Sequence, residues 1–117
     1  MTKVMIVDDD QTTVKLLQTL LELDGYVVTV ARRGGDVIDL AAKENPDIFL
    51  MDYHLSDMDG VDVLRELRRS GPFTDTPIVM TSGLDVEEEV MEAGASTFLV
   101  KPFEPDELPS LFTRLLS

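Results

Sequence analysis

Cysteine is absent from this chain. That rules out disulfides and thiolate chemistry and makes a cytoplasmic setting the expected one. No apolar run approaches the ~18 residues that a membrane-spanning helix needs. The start, Met1-Thr2-Lys3-Val4, lacks the basic opening and longer apolar stretch of a secretory leader. Low-complexity tracts and internal repeats are missing as well. Basic residues are scarce: 10 Lys and Arg stand against 23 Asp and Glu, for a net charge of −13. Phosphate contacts need clustered cations, so direct binding to nucleic acid is not expected. The pairs Arg32-Arg33 and Arg68-Arg69 read as solvated helix ends or loops. From Ser70 to Thr113 the one basic residue is Lys101. A lone cation in so acidic a stretch is expected to hold a position.

What is present is an ordinary globular composition, 44% apolar and 28% charged over 117 residues. That length suits one domain with one core. Four apolar runs finish in a reactive polar group. Val4-Met5-Ile6-Val7 leads into Asp8-Asp9-Asp10, and Ile48-Phe49-Leu50-Met51 ends in Asp52. Ile78-Val79-Met80 ends in Thr81-Ser82, and Phe98-Leu99-Val100 in Lys101-Pro102.

The rest of the chain alternates strand and helix. Strands are expected at Lys3–Val7, Tyr26–Ala31, Asp47–Met51, Pro77–Met80 and Thr97–Val100. The first helix, capped by Asp10, turns Val14, Leu17, Leu20 and Leu21 inward and stops near Asp24-Gly25. A short second helix carries Val37, Ile38, Ala41 and Ala42 and is closed by Asn45-Pro46. After a loop at Ser56–Gly60, Val61, Leu64 and Leu67 mark a third helix, broken by Ser70-Gly71-Pro72. An acidic helix spans Asp85–Ala93. A last helix runs to about Leu116 with Leu108, Leu111, Phe112, Leu115 and Leu116 facing inward.

Continuous apolar strands between amphipathic helices imply an α/β fold, a parallel sheet covered on both faces. In such open sheets the ligand site lies beyond the carboxyl ends of the strands. Asp8, Asp9, Asp52, Thr81 and Lys101 all fall there. Carboxylates within ~4 Å repel by ~4 kcal/mol per pair at an effective dielectric of ~20. A hard divalent cation such as Mg²⁺ (or Mn²⁺) offsets that charge and suits carboxylates plus a phosphate. A carboxylate between such an ion and an ammonium is placed to attack phosphorus, and Thr81 could donate to a phosphoryl oxygen.

These residues resemble the receiver domain of bacterial two-component response regulators, and the likeness covers Lys3–Leu116. Its motifs are Asp8-Asp9, Asp52, Met58-Asp59-Gly60, Thr81-Ser82, Gly94-Ala95 and Lys101-Pro102. The resemblance implies a flavodoxin-like, doubly wound sheet of order 2-1-3-4-5 and a single receiver domain over 1–117. Asp52 would accept a phosphoryl group from a phosphohistidine of a histidine kinase or a histidine phosphotransfer protein. Asp9 and Asp52 would hold Mg²⁺ with the backbone carbonyl of His54, and Asp8 would act mainly through water. Lys101 would pair with the phosphoryl oxygens, and its bond to Pro102 would be cis.

In the family Thr81 moves toward the phosphoryl group and an aromatic residue, here Phe98, turns inward. The face formed by the fourth helix, fifth strand and fifth helix then changes. The implied protein is a regulatory domain that takes and slowly loses its own phosphoryl group, not a turnover enzyme. Its partners would be the kinase, an output domain or downstream protein, and a second copy in a phosphorylation-dependent homodimer.

Several features depart from the family pattern. The interval from Thr81 to Lys101 is short, which shortens the fourth helix. Pro109 removes a backbone donor unless the last helix begins there. Ser56 replaces a common Pro. His54 and Gly83 border the site and would tune hydrolysis; as a solvent-facing loop residue His54 is a poor catalyst. The rival reading is a hydrolase of the haloacid dehalogenase type. Asp8-Asp9-Asp10-Gln11-Thr12 fits its signature, with Asp8 as nucleophile and Asp10 as acid/base. That reading leaves Asp52 unexplained.

Overall fold

The computed structural model describes residues 1–69 and 71–117. Strands β1 (Lys3–Val7), β2 (Val27–Ala31), β3 (Ile48–Asp52), β4 (Ile78–Ser82) and β5 (Thr97–Val100) form one sheet. Its order is β2-β1-β3-β4-β5, with every neighbouring pair parallel. Helices α1 (Gln11–Leu23), α2 (Val37–Glu44), α3 (Gly60–Arg69), α4 (Glu87–Glu92) and α5 (Leu108–Leu116) connect and follow the strands. This is the parallel, doubly covered sheet expected from the strand-helix alternation, in the flavodoxin-like order that the family resemblance implies.

The strands are apolar throughout because both faces of the sheet are covered. Met5, Val7, Phe49, Met51, Ile78 and Met80 belong to the core beneath α2, α3 and α4. Val4, Ile6, Ile48, Leu50 and Val79 belong to the opposite core, beneath α1 and α5. Alternate residues of one strand therefore serve two cores. Each large side chain so buried contributes about 1.5–3 kcal/mol. Edge-on aromatic pairs lie in each: Phe49 with Phe73, and Tyr26 with Phe112, both at 5.6 Å between ring centres.

Local chemistry sets the helix ends. Asp10 caps α1 by accepting from the Thr12 amide at 3.3 Å and the Thr13 hydroxyl at 2.6 Å. Gly25, at φ 92°, supplies the left-handed turn after α1. Asn45 does the same after α2, at φ 52°, just before Pro46. Pro109 lies in the first turn of α5, where its missing N–H costs no helical hydrogen bond.

Several expectations need correction. Leu20, Leu116 and Ala42 are exposed, so the inward stripes are narrower than the apolar pattern suggests. The acidic helix is Glu87–Glu92, shorter at both ends than Asp85–Ala93. Gly60 opens α3 and is buried, not part of the loop. Of the expected break at 70–72, Ser70 lies outside the described residues, and Gly71–Phe73 is a turn of 3-10 helix.

Arg68 is not a solvated helix end. Its guanidinium donates to the carbonyls of Gly94 (2.9 Å), Phe73 (2.8 Å) and Thr76 (2.6 Å). It therefore joins α3 to the loops before β4 and β5.

Candidate phosphoacceptor site

All four polar strand ends meet at one edge of the sheet. Register brings them there: Val7 pairs with Met51 across β1–β3, Asp52 with Thr81 across β3–β4, and Ser82 with Val100 across β4–β5. One carboxylate oxygen from each of Asp8, Asp9 and Asp52 lies within 4.8 Å of the other two. Asp8 and Asp52 are buried, whereas Asp9 is exposed at the mouth. The Lys101 ammonium reaches in from the end of β5, 3.2 Å from Asp8 Oδ2 and 3.5 Å from Asp52 Oδ1. The peptide bond from Lys101 to Pro102 is cis, as expected.

The electrostatics follow from this crowding. Burial pushes the Asp52 carboxyl above the usual carboxylate range; Lys101 opposes that rise and Asp8 adds to it. Burial alone would pull the Lys101 ammonium down, but Asp8 and Asp52 outweigh it and hold the group above its ordinary value. One ammonium faces three carboxylates, so the cluster keeps an excess of negative charge. An all-oxygen donor set with surplus negative charge and one exposed member fits a hard divalent cation that retains water.

Thr81 is buried beside Asp52, and Phe98, half-buried, packs against the α2–α4 core from its place opposite Met80. The Asp10 carboxylate is committed to capping α1 and so is not free for the acid/base role that the hydrolase alternative requires.

Other neighbours of the site carry no periodic signature in the sequence. His54 is exposed, as expected of a solvent-facing loop residue, and its Nε2 also lies 3.2 Å from the hydroxyl of the fully buried Ser82. The Tyr53 hydroxyl donates to Glu89 Oε1 at 2.7 Å. Asp57 accepts from the amides of Gly34 (2.8 Å) and Gly35 (2.9 Å), tying the loop after β3 to the loop after β2.

Those two amides, Gly35 first, hold the Asp57 carboxyl below its ordinary range. A lowered folded value means a stabilising contribution present above the unfolded value, near 3.8, and lost as pH falls through the folded one. Asp57→Ala is therefore expected to melt below wild type at neutral pH. The gap in melting temperature should close as the buffer is acidified below about pH 4. A gap independent of pH would assign the loss to packing instead.

A five-stranded parallel sheet of this order with an acidic cluster, a threonine and a lysine at its carboxyl edge defines a phosphorelay receiver. The chain belongs to the response regulator receiver domain family, which matches residues 4–113. It is 36% identical to the response regulator MprA of Mycolicibacterium vanbaalenii, over 97% of this chain and 50% of that protein. The chain spans about half the length of these curated relatives. Its backbone superposes on the chemotaxis response regulator CheY4 of Vibrio cholerae with TM-score 0.92 and 29% identity, over 99% of each chain. It also matches the receiver domain of a Pseudomonas aeruginosa sensor histidine kinase, with TM-score 0.89 and 27% identity over 98% and 97% of the two chains. In that structure a magnesium ion is coordinated in the active-site cleft.

Proposed function

We propose that Asp52 is the phosphoacceptor of this receiver and that Asp8, Asp9, Asp52 and the His54 carbonyl hold a Mg²⁺ ion beside it. The observation that carries the reading is the meeting of three carboxylates within 4.8 Å and one ammonium within 3.5 Å at the sheet edge. When bound, the ion neutralises charge on the phosphoryl oxygens and on the surrounding acids. An Asp52 carboxylate oxygen attacks phosphorus, a P–O bond forms, and the P–N bond to the donor histidine breaks. Lys101 stabilises the charge spread over the phosphoryl oxygens. Thr81, one strand away, donates its hydroxyl to one of them once it shifts toward the acceptor. Phe98 lies behind Thr81 on the next strand and follows that movement, changing the α4–β5–α5 face.

The phosphohistidine belongs to a histidine kinase or phosphotransfer protein. A groove of about 470 Å³ opens beside Lys101, lined by Leu16, Pro102, Phe103 and Pro105 among others, and a donor protein reaching Asp52 would cover it. The unit works as a switch, spending one phosphoryl group per cycle and losing it slowly to water.

Incubation with Mg²⁺ and acetyl phosphate, then borohydride trapping and peptide mapping, tests the assignment. The label is expected at Asp52, and chelation of the metal should abolish it. Label at Asp8, or none with Mg²⁺ present, would overturn the reading.

A further inference from the structure

Large apolar side chains stand in solvent along the β5 side of the molecule: Leu84 is 60% exposed, Val100 58% and Met91 41%. Strand β5 is the terminal strand of the sheet on that side. Leu84 and Val100 both adjoin the end of β4. The Leu84 amide donates to the Ser82 hydroxyl at 3.0 Å, and Val100 pairs with Ser82 across the two strands. Met91 follows Val90, the buried residue by which α4 joins the core beneath this edge. Large exposed apolar groups on α4, on β5 and at the end of β4, neighbouring parts of one edge of the molecule, point to a binding surface.

Charge decides what can cover it. Between Gly83 and Val100 the chain carries Asp85, Glu87, Glu88, Glu89 and Glu92 and no Lys, Arg or His. Glu104, Asp106 and Glu107 follow at the start of the last helical segment. Lys101 has its ammonium committed to Asp8 and Asp52, and Arg68, which reaches the Gly94 carbonyl just after α4, is held by three backbone carbonyls. A two-fold dimer sets a patch against its own copy. Here acid would meet acid, with no cation on α4 or β5 to interleave, and such like-charge contact costs several kcal/mol. A basic surface with apolar residues between its charges is the complementary occupant.

We propose that the α4–β5 face, with Leu84, Met91 and Val100 set among the acids of α4, docks a basic amphipathic protein segment and not a second copy of this chain. The proposal rests on the receiver reading above, since it takes this face as the output. Tyr53, next to Asp52, ties the face to the site through its hydrogen bond to Glu89.

The test uses the full chain, with beryllofluoride standing for the phosphoryl group. Two synthetic helical peptides serve as probes, one of Leu and Lys and one of Leu and Glu in the same pattern. The Leu/Lys peptide is expected to shift the NMR amide signals of Gly83–Glu92 and Val100, and the Leu/Glu peptide to shift none. Glu88→Lys combined with Glu92→Lys should weaken binding about tenfold or more while leaving the trapped label at Asp52 at wild-type yield. Sedimentation should give a monomer with and without beryllofluoride.

Three results would overturn the proposal: shifts spread over the whole acidic surface, affinity indifferent to the charge reversal, or an activated dimer whose α4–β5 signals depend on concentration. Absence of label in the unmutated chain strikes the receiver reading instead, so the two failures are distinguishable.

Discussion

Replacing Asp52 with Asn is expected to lower phosphoryl incorporation by at least about a hundredfold, because the amide offers no anionic oxygen to attack phosphorus. The same substitution should make the metal-free protein more stable at neutral pH. Burial first, and then Asp8, outweigh Lys101 and raise the Asp52 carboxyl above its ordinary value. For a raised acid the stability is fully present below the unfolded value near 3.8 and is lost as pH rises through the folded one. At neutral pH the ionised group therefore weakens the fold, and Asn removes that penalty.

Magnesium should reverse the ranking. At ten times its dissociation constant a ligand of the folded state adds about 1.4 kcal/mol, and Asp52→Asn should gain less than wild type. Urea unfolding with and without Mg²⁺, run beside the labelling assay, reads both effects. A variant that is less stable without metal, or that still takes label at position 52, would contradict the assignment.

Much of the site was legible in the sequence because a parallel sheet aligns its strand ends. Val7-Asp8, Met51-Asp52, Met80-Thr81 and Val100-Lys101 each mark the step from an apolar strand to its carboxyl edge, and one sheet carries all four steps to one place. The strands were legible for the same reason, down to β5 at Thr97–Val100, whereas their order followed from the family resemblance. Inward faces were harder to read. Leu20 follows the apolar pattern of α1, yet Val14, Leu17 and Leu21 alone fill the contact with the sheet, leaving Leu20 on the rim of a groove with Leu108 and Pro105.

Polar pairs between separate elements and loops were not legible at all. Tyr53 with Glu89, His54 with Ser82, Asp57 with Gly34 and Gly35, and Arg68 with three carbonyls depend on how separate connections approach each other. No local period records such an approach. Arg68 shows the consequence: beside Arg69 at a helix end it reads as surface, and only the fold reveals the carbonyls around it.

Gly60→Ala is expected to be the most damaging single-methyl change near the site. A Cβ there would press into the carbonyl oxygen and carbon of Asp52 and the Cα of Tyr53, all backbone atoms. No rotamer change can relieve such a contact. The Gly60 amide also donates to the Tyr53 carbonyl at 2.5 Å, so the start of α3 cannot back away without losing that bond.

Overpacking of this kind costs about 1–3 kcal/mol, and the strain falls on Asp52, the proposed phosphoacceptor. A displacement of about 1 Å at a reacting group can cost about a hundredfold in rate. Gly60→Ala should therefore lose stability and phosphorylation rate together, and magnesium should restore stability only in part. Gly83→Ala is the control, because a Cβ at that position meets nothing within 4 Å although it too borders the site. It should fold as wild type does and take label at an initial rate within about twofold of wild type, whatever it does to later hydrolysis, since an added methyl in open space changes little. Equal damage from both substitutions would mean that this edge tolerates no added bulk in general, and the specific clamp of α3 on the Asp52 carbonyl would lose its support.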